Sequence, residues 1–358
     1  MIEAVKKRIP SRAALALGLG AVAFITYQVG RLLSVERMIT GGELSLPLDD
    51  SFIYLQYARV IAEGHPFVYS PGNAPTTGAT SLLWPFLLAP PHLLNLGPSM
   101  AIAWALALGV VGLVVSAFLM MRLGRLLGGA WGMVLCLALF LGSPYLLWGY
   151  MSGMEIPLYA TVLIATAILY LEERREARFP RLRWWLFALA ASRPEGAVLS
   201  GVLGIAMLLE RRRASRAPGG PRFPSASLLL PFAAAALPFL INWAISGSIE
   251  STSSQAKSIL AEPHLDVRHK FLVDSPKVWF VIVKAYLSFL QLPEGAAVPR
   301  FTVTSGAALL LFALFAFLPR RRPWADGRVL LLLFPAAVLV NSLPVAWSVH
   351  FYRYQLGF

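Results

Sequence analysis

Two adjacent carboxylates, Asp49 and Asp50, are the strongest chemical signal in this chain, because its 358 residues include only five aspartates. Neighbouring like charges repel, which predicts that one of the pair holds its proton above the ordinary carboxylate range. Such a pair can divide the work of a general base and a contact to a cation or donor. A helix cap is the competing reading, since Asp is favoured at the N-cap. The following stretch, SFIYLQYARVIAEG, puts Ile53, Tyr57, Val60 and Ile61 on one helical face and Gln56, Arg59 and Glu63 on another. That pattern predicts an amphipathic helix lying on a membrane. One aspartate is enough to cap it.

Further candidates follow along the chain. His65 opens a turn-rich loop dense in hydroxyls that runs through Thr76, Thr77 and Thr80 to Ser81. Hydroxyls and backbone N–H groups at a helix start can hold a phosphate, although Ser81 alone reads equally well as a cap. Glu155 lies in Ser152-Gly153-Met154-Glu155 between two apolar runs, and Arg193 and Glu195 lie in Ser192-Arg193-Pro194-Glu195-Gly196. Ionisable residues at membrane depth cost several kcal/mol unless paired, so they mark either function or a structural pair of Arg193 with Glu195 or Glu155. Lys257 follows the hydroxyl-rich Ser251 to Ser254 stretch and is a phosphate-grip candidate or a solvated loop lysine. His264 and His269 flank Asp266, a spacing that matches no recognised zinc motif. Arg353 stands in an aromatic C-terminal segment with His350, Tyr352 and Tyr354, a pattern that also suits a membrane-interface anchor.

The elements that must position these residues are dictated by composition. The chain is 57% hydrophobic and 14% charged, against about a quarter charged in soluble proteins, so lipid must cover part of its surface. Its net charge of +13 comes in short clusters between apolar runs, such as Lys6-Lys7-Arg8, Arg211-Arg212-Arg213 and Arg320-Arg321-Arg322. This is the positive-inside pattern, with anionic lipid headgroups rather than nucleic acid as the partner. The single cysteine, Cys136, excludes an intrachain disulfide and a cysteine-based metal site, and reads as packing. Walker A, dinucleotide and nucleophile-elbow motifs are absent from the sequence.

About nine to eleven membrane-embedded segments are expected. Residues 13–33, read as a retained signal anchor, 99–121, 127–150, 154–172, 223–245, 302–318 and 328–346 are long enough to span. Segments 80–97, 184–192 and 196–210 are short or interrupted by proline. With the N-terminus inside, the loops 34–79 and 246–298 fall outside, and the basic clusters at 174–183, 211–222 and 319–328 inside. Residues 184–210 then form a hairpin of two short helices, each rising too little to span easily, with its turn near the outer leaflet or within the membrane. Residues 80–97 lie along or dip into the outer surface. The rival count makes 184–210 a single span.

Several passages occur in a telling order: LDDSFIYLQYAR (48–59), EGHPFVYSPGNAPTTGATSLLW (63–84), SGME (152–155), RPEG (193–196) and NWAISGSIESTSSQAK (242–257). Together they resemble the GT-C superfamily of integral membrane glycosyltransferases, especially bacterial arabinofuranosyltransferase-like and mannosyltransferase-like members, over residues 10–358. The resemblance implies an all-α polytopic transmembrane bundle forming a single module over residues 1–358, with two extracytoplasmic loops carrying short membrane-surface helices. It implies transfer of a sugar, usually with inversion, from a polyprenyl-phosphate donor to a lipid, glycan or protein acceptor on the outer face of a bacterial plasma membrane. Asp49 or Asp50 would be the general base. Arg193 and Lys257 would neutralise the leaving phosphate, with Arg353 assisting. Glu155 and Glu195 would orient substrate or pair with Arg193, and Arg59, His65 and Ser81 are further substrate-binding candidates. A divalent metal, Mg2+ or Mn2+, is the one cofactor left open. Asn73 and Gly78-Ala79 depart from the family pattern and bear on sugar and acceptor choice. The chain stops where relatives continue, so a C-terminal remainder is expected. A transporter or flippase of a lipid-linked or polar solute is the alternative, since broken, charged membrane helices also mark transporter sites.

Overall fold

A computed structural model describes residues 11–216, 218 and 226–249. These residues form helices and no strand. Four of the helices are long and apolar enough to cross a membrane: α1 (Ser11–Ile39), α5 (Pro98–Leu141), α7 (Ile156–Glu173) and α10 (Leu230–Ser246). The protein is therefore an all-α, membrane-embedded bundle. The remaining helices among the described residues are α2 (Asp50–Ala62), α3 (Trp84–Leu88), α4 (Pro90–Leu93), α6 (Pro144–Tyr150), α8 (Leu182–Ser192) and α9 (Pro194–Ser215). The spans expected at 302–318 and 328–346, most of the loop 246–298, Lys257, His264, His269 and Arg353 lie outside the described residues.

A straight α5 of 44 residues would be about 66 Å long, twice the hydrocarbon thickness. Gly128 and Gly129 leave helical geometry, and Gly129 has φ +64, a left-handed conformation that glycine adopts without cost. The chain folds back on itself there. A Cβ on Gly124 would strike the Gly132 carbonyl oxygen and stand 2.9 Å from Cys136 Cβ. The second arm and α6 together cover the 127–150 run, divided at Gly142-Ser143, where the Ser143 hydroxyl accepts from Leu146 N–H and caps α6.

The first arm of α5 runs beside α7 in the same direction. Ser116 and Thr161 hydroxyls lie 2.8 Å apart, and Tyr150 donates to Ser116 Oγ at 2.7 Å. Glycine makes this approach close: a Cβ on Gly109 would collide with the Tyr150 carbonyl oxygen. Gly109→Val should force the segments apart and cost about 1–3 kcal/mol, read as a lower melting temperature of the detergent-solubilised protein. An unchanged melting temperature would contradict this packing.

Helix α8 returns antiparallel to α7. Arg181 pairs with Glu173 at one end (2.8 Å) and Arg193 with Glu155 at the other (2.9 Å). Pro194 follows, and its ring denies helical geometry to the residue before it. Arg193 is accordingly extended, with φ −161 and ψ 155. From there α9 packs back along α8, with Ser200 Oγ donating to Leu186 O and Gly196 pressed against Leu189 O.

Two expectations need correction. At 22 residues, α9 outruns the 196–210 arm and carries Arg211, Arg212 and Arg213 inside the helix, not in a loop beginning at 211. Arginine is a good helix former and favours a helix C-terminus, and Arg174–Glu210 (3.1 Å) holds that last turn. On α2, Ile53 is exposed and the buried face is Tyr54, Leu55, Tyr57, Ala58 and Val60. The helix therefore packs its apolar face on the bundle's own loops, and Phe52 and Ile53 face outward.

Candidate functional site

Arg193 is the centre of the most unusual chemistry in the described protein. Its guanidinium is 2% exposed and meets two carboxylates. Nη1 lies 2.9 Å from Glu155 Oε1, while Nε and Nη2 donate to Glu195 at 3.0 and 3.1 Å, a bidentate fork. The cation also lies 5.6 Å from the centre of the Tyr159 ring. Glu155 is 0% and Glu195 8% exposed. Three buried charges in contact form one positive and two negative groups, an arrangement that survives in low dielectric only while every member is present.

This cluster meets the first long loop through Tyr54 of α2, itself 3% exposed. The Tyr54 hydroxyl lies beside Glu155 and Thr80 and closes no well-aligned hydrogen bond. Burial raises its pKa well above the usual phenol value, and the neighbouring Glu155 charge raises it further. Tyr54 is thus a neutral O–H held against a buried carboxylate.

Backbone contacts fix α2 and α3 onto the same place. Ser51 Oγ donates to Ser152 O, the Trp84 indole N–H donates to Gly153 O at 2.9 Å, and Leu82 N–H donates to Ala191 O at 3.0 Å. Gly153 has φ +78, and a Cβ there would sit 2.7 Å from Leu46 Cδ1 and 3.2 Å from Ser51 Cβ. Only glycine suits that position. Trp84→Phe keeps the ring but leaves the Gly153 carbonyl without its donor. The expected loss is about 1–3 kcal/mol, seen as a lower melting temperature, and an unshifted melt would show that this contact contributes nothing.

The other predicted residues fall into two groups. Ser81 is fully buried, and its hydroxyl accepts from the N–H of Trp84, the first residue of the short α3, at 3.1 Å. Asp49 is exposed at the N-cap of α2, where its Oδ1 accepts from Asp50 N–H at 3.0 Å. Asp50 is half-buried in the first turn. It stands four residues from Tyr54, hence on the same helical face. Asp50 therefore lies one turn from Tyr54, the residue of α2 that meets the buried cluster. Arg59 is exposed and pairs with Glu63 at 3.8 Å, and His65 is exposed at the start of the hydroxyl loop. That loop folds back on α2: Gln56 Nε2 donates to Tyr69 O at 2.8 Å, and Tyr69 packs edge-on to Tyr57.

Sequence reasoning did not single out Tyr54, Trp84, Tyr159 or His92. His92 of α4 is the least obvious. Burial lowers its pKa, the Arg59 charge nearby lowers it further, and the Glu63 charge opposes them. Tyr54 carried one usable signal, its i+4 spacing from Asp50. Among the described residues no three His, Cys, Asp or Glu side chains stand together as a metal site.

The chain matches no protein family, no characterised protein and no solved structure with which it was compared.

Proposed function

We propose that the protein is a membrane glycosyltransferase of the GT-C kind, moving a sugar from a polyprenyl-phosphate donor to a lipid, glycan or protein acceptor outside the cytoplasm. One observation carries the reading. Passages 48–59 and 63–84, which are neighbours in sequence, and the distant 152–155 and 193–196, all bearing the resemblance, meet at one end of the bundle around Arg193. The opposite end holds the arginines of 174–183 and 211–216, which the positive-inside rule assigns to the cytoplasm. The end with the Asp pair then faces outward, where a lipid-linked donor presents its sugar.

In this reading Asp49 or Asp50 takes the proton of the acceptor hydroxyl. That oxygen attacks the anomeric carbon as the carbon–phosphate oxygen bond breaks, and the polyprenyl phosphate leaves with the bonding electrons. Arg193 is already matched by two carboxylates, so we assign it a positioning role, holding α2 and the Asp pair through Glu155 and Tyr54. The resemblance also assigns Lys257 and Arg353 to the leaving phosphate, and both lie outside the described residues. No step is routed through a metal; Asp49 and Asp50 are the side chains that would hold one, and it would shield the donor phosphate.

The charged break between α8 and α9 also fits a transporter, whose discontinuous helices line substrate sites. Here the buried charges sit at one end of α7 and α8, where a transporter would place them at mid-membrane. The two readings separate in one experiment. Purified protein is mixed with radiolabelled polyprenyl-phosphate sugars and an acceptor extract, with and without chelator, and the same donors are loaded into proteoliposomes. Label appearing in acceptor supports transfer. Donor crossing the bilayer with no product overturns it in favour of transport.

A further inference from the structure

At the arginine-rich end, the termini of α7, α8 and α9 and the turn Ala226–Leu229 enclose a cavity of about 610 Å³. Its volume suits a headgroup with its glycerol, within the range of ordinary ligand pockets. One wall is cationic, with Arg178, Arg183 and Arg211; another is apolar, with Phe179, Met207 and Leu228. The acids that also line it are mostly committed. Glu173 is buried and accepts from Arg181 N–H, Leu182 N–H and Arg181 Nε, and Glu172 pairs with Arg122 at 2.6 Å and Arg181 at 3.3 Å. Glu176 alone stays exposed. Neither Arg178 nor Arg183 joins an ion pair among the described residues, and Arg183 Nε is buried with no hydrogen-bond partner.

The depth of the cavity says what kind of anion it meets. Glu155 and Glu173 bracket the 18 residues of α7, about 27 Å of helix, close to the thickness of a hydrocarbon core. The cavity thus lies one membrane thickness from the Arg193 cluster. Next to Arg183, Trp184 and Trp185 are 58% and 38% exposed, and tryptophan gathers at the headgroup level. Basic pockets between membrane helices on the cytoplasmic side hold anionic headgroups.

We infer that this arginine-walled cavity binds the phosphate of an anionic phospholipid, with the glycerol and first methylenes against Phe179, Met207 and Leu228. The site is independent of the transferase reading.

Detergent-solubilised full chain, titrated with phosphatidylglycerol and with phosphatidylcholine of the same chain length, tests it by native mass spectrometry. Each arginine near an anionic surface contributes about a fivefold gain in binding. Arg178→Gln/Arg183→Gln should therefore weaken phosphatidylglycerol binding by about tenfold or more and leave phosphatidylcholine unchanged. Ser227→Phe, which fills the cavity and keeps its charge, should weaken it too and covers the case in which the double variant does not fold. Arg212→Gln/Arg213→Gln, at positions that do not line the cavity, should keep full binding. Equal binding in the parent and in the cavity variants overturns the proposal, as does an equal loss in the Arg212/Arg213 control, which would mean diffuse charge. Glycerol phosphate is the competing soluble source. Its displacement of phosphatidylglycerol at equimolar concentration would also overturn a lipid site.

Discussion

Replacing Arg193 with methionine should destabilise the protein by about 3–5 kcal/mol, the cost of breaking a buried ion pair from one side. The substitution leaves Glu155 and Glu195 buried, adjacent and without their cation. Methionine fills similar volume, so a cavity does not explain the loss. Adding Glu155→Gln and Glu195→Gln to Arg193→Met should recover much of the stability, because neutral amides need no counter-charge. A tryptophan-fluorescence melt in detergent reads both effects; ten tryptophans supply the signal. If Arg193→Met melts with the parent, the cluster is solvated and does not hold α2. The expected loss of activity in Arg193→Lys is of a different kind. Lysine keeps the charge but not the bidentate fork to Glu195, so transfer should fall with a smaller change in melting.

The second large effect concerns the Asp pair. General-base catalysis contributes about 10²- to 10⁴-fold, so neutralising the base should remove that much of kcat. Asn caps a helix as well as Asp does, so Asp49→Asn should leave α2 capped. Asp50→Asn keeps shape in the first turn and removes a charge near the helix N-terminus that is worth about 0.3–1 kcal/mol. Either variant should therefore fold. The one that loses transfer is the base, and the other should lose far less. Asp50 is the more enclosed of the two and shares a face with Tyr54, so Tyr54→Phe should slow transfer modestly if the phenol orders that face. A Tyr54→Phe variant with parental activity would limit Tyr54 to packing.

How much of this was legible differs by element. Apolar length alone gives both ends of α7 to within two residues and the C-terminal end of α10 to within one, because about 20 residues must bury their backbone in lipid; α10 itself begins at Leu230, seven residues after the expected start. Pro194 announces the break that exposes Arg193 to its partners. Residues 127–150 read as one run, whereas the chain divides it at Gly142-Ser143, where Ser143 caps a new helix. Periodicity alone cannot see such a cap. The end of α9 was hidden for another reason: Arg211 to Arg213 look like a loop by charge, yet Arg174–Glu210 and the Arg211 Nη1 to Ala177 O bond (3.1 Å) hold them helical. In the site, Glu155, Arg193 and Glu195 were visible as charges that a membrane tolerates only when paired, and their pairing follows from there. Tyr54 and Trp84 were not visible, because each looks like any apolar aromatic until the SGME turn is placed beneath it. Ser81 and Asp49 show the limit of residue-type reasoning, since both accept a backbone N–H at a helix start and such an acceptor has the same chemistry as a ligand.

The central claim is that the Asp pair, whose Asp50 stands one helical turn from Tyr54, is a reacting centre. Transfer of label from a polyprenyl-phosphate sugar by Asp49→Asn/Asp50→Asn, beside the parent and with matched melting curves, tests it most directly. The account predicts parental melting and transfer reduced at least about 10²-fold. Undiminished transfer in a folded double variant would contradict it and move the search for the base away from α2.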